Sequence, residues 1–232
     1  MRPPDFESDG VQLYRGDCDE VLSEMRAEFV KFDAVITDPP YGENIGKMGF
    51  TNSTDGGVAK RNDYKGGADW DDAGLKLWQY QNMEQVSGVL AIFGGNFFAD
   101  ILPVSRGWYA WDKKSGGKYS NDFADIELVW TNQDRPARVI SYIWHGMIQQ
   151  NMKDKERRFH PSQKPVNVMV RLVEDLTSEG DTVLDPFMGV GSTGLACLKS
   201  GRSFVGIERD PNYFEIAKKR IQEAQLQMRM PI

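Results

Sequence analysis

Thr182-Val-Leu-Asp185-Pro-Phe-Met-Gly189-Val-Gly191-Ser-Thr-Gly194, followed by Phe204-Val-Gly-Ile-Glu208, reads as a strand, a glycine-rich turn, a helix and a second strand ending in an acid. A βαβ unit of a parallel sheet has this form, with backbone approaching a ligand at the glycines and the acid available to ribose hydroxyls. The pattern also satisfies G-x-G-x-x-G, and Glu208 lies nineteen residues past Gly189, close to the dinucleotide spacing. Two features oppose a nicotinamide cofactor. Pro186, Phe187 and Met188 separate Asp185 from the first glycine, whereas a dinucleotide turn enters its glycines almost at once. Asp185 would also set a carboxylate against a pyrophosphate, which is repulsive, while it attracts the ammonium end of a methionine moiety. No lysine follows the glycines, so the turn is not a P-loop.

Outward from this unit, short β-rich runs alternate with longer amphipathic ones. Strands are expected at Val11–Tyr14, Ala34–Thr37, Val89–Phe93, Trp108–Trp111, Glu127–Thr131, Val139–Ile143, Thr182–Leu184 and Phe204–Ile207. Helices are expected at Asp19–Phe29, Leu75–Val86, Val166–Leu176, Thr193–Lys199 and Asn212–Gln225. Met169, Leu172, Val173 and Leu176 recur at helical spacing, with Ser162 as a candidate N-cap and Pro165 near the start. Phe214, Ala217 and Ile221 form a second stripe, with Lys218, Lys219 and Arg220 largely off it. The alternation predicts an α/β fold: one doubly wound domain over 1–232, with helices on both faces of a mostly parallel sheet. Residues 42–72, with seven glycines and no periodicity, are expected to be a mobile loop beside the site.

The run Ala34-Val-Ile-Thr-Asp38-Pro39-Pro40-Tyr41 joins an apolar strand to an acid, two prolines and an aromatic. Such a run is also compatible with a stiff turn. The chemical reading rests on the needs of an exocyclic base amine, whose lone pair is delocalised into the ring. It attacks only when acceptors hold its N–H groups as the nitrogen becomes tetrahedral. The Asp38 carboxylate and a carbonyl fixed by Pro39-Pro40 suit that task, because proline locks φ and donates nothing. Tyr41 offers a face for a base swung out of a duplex.

The remaining composition sets bounds. The chain of 232 residues is 40% hydrophobic and 27% charged, with no run of eighteen apolar residues, so no transmembrane helix is expected. The N-terminus lacks an apolar signal segment. Cys18 and Cys197 are too few for a disulfide framework or zinc cluster, which suits a cytoplasmic protein without a metal. A net charge of −6 argues mildly against nucleic acid, but local charge counts for more. Lys153–Lys164 carries five basic residues against two acidic, including Arg157 and Arg158. Lys60, Arg61 and Lys65 form a second basic group, and Lys113, Lys114 and Lys118 a third. Each group is equally readable as a solvated face or as a DNA contact.

With the two motifs in this order, the sequence resembles the β group of DNA amino-methyltransferases, in which a DPPY-type motif precedes the cofactor glycine motif. The likeness covers most of the chain. Leu13-Tyr-Arg-Gly16-Asp17-Cys18 resembles the segment at the cofactor adenine, and Ser87–Gly94 the strand lining the target-base pocket. Asp69-Trp70-Asp71 resembles a recurring element after the catalytic loop, and His160-Pro-Ser-Gln163-Lys164-Pro165 the segment closing over the methionine end. The resemblance implies a Rossmann-like fold with circularly permuted motifs and S-adenosylmethionine as cofactor. It also implies methylation of adenine N6 in flipped double-stranded DNA and a homodimer as the expected assembly, while restriction-modification, regulation and viral protection stay open as the biological role.

Carried onto this chain, the resemblance makes Asp38, Pro39, Pro40 and Tyr41 catalytic. Asp185, Phe187, Gly189, Gly191, Ser192 and Thr193 would hold the methionine end, with Gln163 and Lys164 closing over it. Glu208, with Arg209 beside it, would take the ribose, Asp17 and Cys18 the adenine, and Asp38 would border the cofactor. Only about thirty residues separate Thr131 from His160, so target recognition would be short, over about 131–160. The nearest rival is N4-cytosine methylation, against which Asp rather than Ser at position 38 leans. From other classes, a nicotinamide oxidoreductase would need a substrate domain with an acid/base pair. A catalytically silent cofactor- or DNA-binding module would not need the intact DPPY.

Overall fold

The computed structural model describes residues 1–42, 74–117, 124–145 and 148–229. Its elements are β1 (Phe6–Ser8), β2 (Val11–Arg15), α1 (Cys18–Ala27), β3 (Ala34–Thr37), α2 (Leu77–Val86), β4 (Leu90–Phe93), β5 (Trp108–Asp112) and β6 (Ile126–Thr131). They continue with β7 (Arg138–Ser141), β8 (Trp144–His145), β9 (Ile148–Gln149), α3 (Val166–Leu176), β10 (Thr182–Asp185), α4 (Ser192–Lys199), β11 (Ser203–Glu208) and α5 (Pro211–Arg229). Every strand and helix expected from the sequence is present, with ends shifted by up to four residues. The expected loop over 42–72, with Lys60, Arg61, Lys65 and Asp69-Trp70-Asp71, lies outside the described residues apart from Gly42.

Among the described residues, nine strands form one sheet in the order β1-β2-β11-β10-β3-β4-β6-β5-β7. β2, β11, β10, β3 and β4 run parallel; β1 and β6 pair antiparallel with their neighbours. The central strands are apolar at nearly every position because both faces are covered. Val183, Ile36 and Phe204 point to the layer of α3, α4 and α5, whereas Leu184, Val35 and Val205 point to α1 and α2. β10 leads through α4 on one face to β11, and β3 leads through α2 on the other face to β4. The chain therefore departs in opposite directions from the adjacent pair β10 and β3. That divergence opens a crevice at their carboxyl ends, where ligands of doubly wound sheets bind.

One expectation fails. Ser162 does not cap α3: Pro165 occupies the N-cap position, and the first helical amide, of Val166, donates to Glu156 Oε2 at 3.0 Å. A carboxylate brought in by tertiary structure does what a local hydroxyl was expected to do. Ser162 instead turns back on His160 Nδ1, with its hydroxyl 2.9 Å away.

Candidate active site

Four acids stand at the carboxyl ends of neighbouring strands: Asp17 after β2, Glu208 ending β11, Asp185 ending β10 and Asp38 after β3. All four line one cavity of about 250 Å³. The cavity also takes in Pro39, Pro40, Tyr41, Cys18, Gln163, Lys164, Phe187, Gly189, Ser192, Thr193 and Arg209. Sequence separations of well over a hundred residues are thus closed at one crevice.

Asp185 is 2% exposed and accepts from Thr37 Oγ1 at 2.7 Å, the Phe187 amide at 3.1 Å and Thr193 Oγ1 at 2.5 Å. Burial still pushes its carboxyl up to about 6, against those donors. Glu208 accepts from the amides of Gly189 and Asp210 at 2.9 and 2.7 Å, so the acid of β11 fastens the glycine turn. Burial pushes it up to about 7. Ser192 Oγ is buried with no hydrogen-bond partner, at the start of α4 and on the cavity wall. A buried carboxylate, an orphaned hydroxyl and a helix N-terminus suit the ammonium and carboxylate of an amino-acid moiety. Glu208 suits the hydroxyls of a ribose.

Asp17 caps α1, accepting from the Asp19 amide at 2.8 Å, while its neighbour Cys18 is buried. Burial, then Asp19, drives the Cys18 thiol far up, which leaves it an unreactive wall of the cavity. Gln79 of α2 completes this wall and donates to Asp19 at 2.7 Å.

Asp38 receives the Tyr41 hydroxyl at 2.8 Å on Oδ1 and the Lys164 ammonium at 2.5 Å on Oδ2. Burial raises the Asp38 carboxyl above the ordinary value and Lys164 opposes it. Lys164 is 6% exposed, and burial alone would lower its pKa; the carboxylates of Asp38 and Glu127 instead hold it above the ordinary value. Tyr41 lies stacked on Phe97, with ring centroids 4.9 Å apart. It also packs over Gly94, whose φ is +68° and where a Cβ would stand 2.4 Å from the Tyr41 ring. No other residue fits there.

Several expected site residues are placed differently. Gly191 does not line the cavity; the space a Cβ would fill is taken by Ala217 of α5, 3.1 Å away. Gln163 reaches the cavity wall, but its amide is spent on the Phe159 amide, Glu156 and the Arg157 carbonyl, so it braces its own loop. Lys113 is not on an open basic face: it pairs with Glu127 at 2.9 Å and is 14% exposed. Lys114 is likewise buried, against Asp125. Arg158 packs its guanidinium 4.2 Å from the centroid of the Trp144 ring, with Nε and one terminal nitrogen buried, whereas Arg157 is exposed. Sequence reading missed Glu127, which binds Lys164, and Gln79. A lone acid within the otherwise apolar IELVWT strand was the available signal for Glu127.

Residues 32–219 match the N6/N4 DNA methylase family. The type II methyltransferase M2.LlaDCHI of Lactococcus lactis subsp. cremoris is 34% identical over 111 residues, 48% of this chain and 40% of that protein. The type II methyltransferase M2.DpnII of Streptococcus pneumoniae is 26% identical, with 96% of this chain and 93% of the relative covered. The crystal structure of the M1.HpyAVI–S-adenosylmethionine complex shares the fold, with a TM-score of 0.57 at 24% identity over 90% of this chain and 99% of the other. The sheet and its crevice are those of a Rossmann-like methyltransferase. The chain belongs to the N6/N4 DNA methylase family, whose methyl donor is S-adenosylmethionine.

Proposed function

We propose that this chain methylates N6 of adenine in duplex DNA, with Asp38 as the acceptor that activates the amine. The observation that carries the reading is that Asp38 and Asp185, ending adjacent strands, line the same cavity. S-adenosylmethionine supplies an electrophilic methyl group on a sulfonium. Asp185, Ser192 and Thr193 hold its amino-acid end, Glu208 its ribose, and Asp17 with Cys18 its adenine. The free lone pairs of Asp38 then face the target amine and stabilise the positive charge that develops on the attacking nitrogen. The methylated nitrogen afterwards loses one proton, to Asp38 or water. Tyr41 orients Asp38 through its hydroxyl and, on the cavity wall, is the aromatic beside which the flipped base packs. Arg157, exposed near Lys153 and Lys155, contacts phosphate, and 131–160 contributes to target choice. The assembly is a homodimer, which sedimentation at micromolar concentration tests.

Transfer of labelled methyl from S-adenosylmethionine to unmethylated duplex DNA, followed by nucleoside analysis, tests the reading. Label in N6-methyladenine is expected. Label in N4-methylcytosine would keep the site and overturn the base. Absence of label despite cofactor binding would overturn the activity.

A further inference from the structure

Lys164 is wedged between two carboxylates. Its ammonium meets Asp38 Oδ2 at 2.5 Å and Glu127 Oε2 at 3.4 Å, and is walled by the rings of Tyr41 and Phe93 at 5.5 and 5.2 Å. Glu127 stands on β6, two strands from β3, and does not line the cavity. Its Oε2 is buried without a hydrogen bond, so the nearby ammonium is what answers its charge. Its other oxygen takes Lys113 at 2.9 Å. The four groups form a line of alternating charge that begins at the cavity and runs away from it.

We propose that Glu127 is a positioning residue for methyl transfer: it draws the Lys164 ammonium between two carboxylates, so that Asp38 keeps an ionised, fixed acceptor for the target amine. This rests on the reading of Asp38 as that acceptor. The physical argument is one of competing demands. A buried carboxylate needs a cation nearby to remain charged. A cation that pairs with it completely, however, cancels the negative potential that the attacking nitrogen requires as it becomes positive. Sharing the ammonium meets both demands. Asp38, Lys164 and Glu127 together carry one net negative charge, and Lys113 answers it only through the far oxygen of Glu127. The Tyr41 and Phe93 rings beside the ammonium bound the point between the carboxylates at which it rests. Lys164 thereby serves Asp38 rather than the cofactor, which is where the family likeness had put it.

The test uses the full chain with long unmethylated duplex DNA and compares wild type, Glu127→Gln, Glu127→Asp and Asp38→Ala. Single-turnover methyl transfer and S-adenosylmethionine affinity are measured for each, with thermal unfolding as a check on folding. Glu127→Gln is expected to slow the transfer step about tenfold or more while cofactor affinity stays within about twofold. Glu127→Asp, which keeps the charge, should recover much of the rate. An unchanged rate in Glu127→Gln would overturn the proposal, as would equal losses in the Gln and Asp variants or a loss confined to cofactor affinity. Full activity in Asp38→Ala would instead sink the underlying assignment of the acceptor.

Discussion

Thr37 donates its hydroxyl to Asp185 at 2.7 Å, fastening the residue before Asp38, the proposed amine acceptor, to the acid that opens the glycine turn. The two motifs are therefore joined by a buried hydrogen bond between β3 and β10, as well as by facing one crevice. Thr37→Val keeps the side-chain shape but removes one of three donors to a buried carboxylate. Hydrogen bonds to charged groups contribute about 1.5–3 kcal/mol. Asp185 would then titrate above its present value of about 6, and S-adenosylmethionine affinity at neutral pH should fall on the order of tenfold. Calorimetry measures this directly; unchanged affinity would show the bond to be passive.

Cofactor affinity should depend on pH through Glu208. Its carboxyl is pushed up to about 7 by burial, and in the proposed ribose site only the ionised form offers both oxygens as acceptors to the hydroxyls. Binding therefore favours the deprotonated form and must expel a proton below that pH. Affinity should fall about tenfold from about pH 7.5 to about pH 6, and more steeply below, where Asp185 also takes up a proton. Titration calorimetry across this range should show that loss, and Glu208→Gln should flatten it. A flat wild-type profile would remove Glu208 from the ribose site.

Asp38→Ala should abolish turnover yet leave a folded chain that binds cofactor. The buried Lys164 ammonium retains Glu127 at 3.4 Å, so the substitution does not strand an unpaired charge. Methyl-transfer assays beside binding measurements separate the two effects. Loss of cofactor affinity equal to the loss of rate would contradict the assignment.

The fold was legible because the central strands are buried on both faces and the helices carry apolar stripes, both of which are local patterns. β1, the β8–β9 pair and the 3-10 turn at Gly95–Phe98 escaped because two to four residues carry no period. In the site, the acids were readable since each stands at or just past the end of a strand, and Asp17, Asp38 and Asp185 lie beside glycine or proline. Their partners were not. Lys164 reaches Asp38 across 126 positions, and nothing near either residue announces the other. The same holds for Glu156, which replaced Ser162 as the cap of α3.

The motif glycines should separate into two kinds. A Cβ at Gly194 would meet the Phe204 ring at 2.8 Å and Ile221 at 3.0 Å, so the residue serves packing of α4 on β11 and α5. Gly194→Ala should cost about 1–3 kcal/mol through overpacking. A Cβ at Gly189 would meet nothing within 4 Å, and its φ of +52° costs alanine only about 1–2 kcal/mol. Gly189→Ala should instead weaken cofactor binding, since Gly189 lines the cavity and its Cβ would stand in open space there. Thermal unfolding and calorimetry on both variants check the division. The reverse ranking would refute it.

Glu156 should prove the most sensitive position outside the cavity. One oxygen caps α3, and the other accepts from Gln163 at 2.8 Å and Arg220 at 3.1 Å. Its backbone exchanges two hydrogen bonds with Gln149 of β9. Arg220, 9% exposed on α5, also donates to the Val190 carbonyl within the glycine turn. One carboxylate thus ties the basic segment, the Lys164 loop and, through Arg220, the glycine turn together. Glu156→Ala would strand the Arg220 guanidinium and uncap α3, at a cost of about 3–5 kcal/mol. Glu156→Gln combined with Arg220→Met removes both charges while keeping their volumes, and should recover much of that loss. Denaturant midpoints of the wild type and the two variants decide the matter: if the double variant is no more stable than Glu156→Ala, the buried charge pair is not what makes the position sensitive.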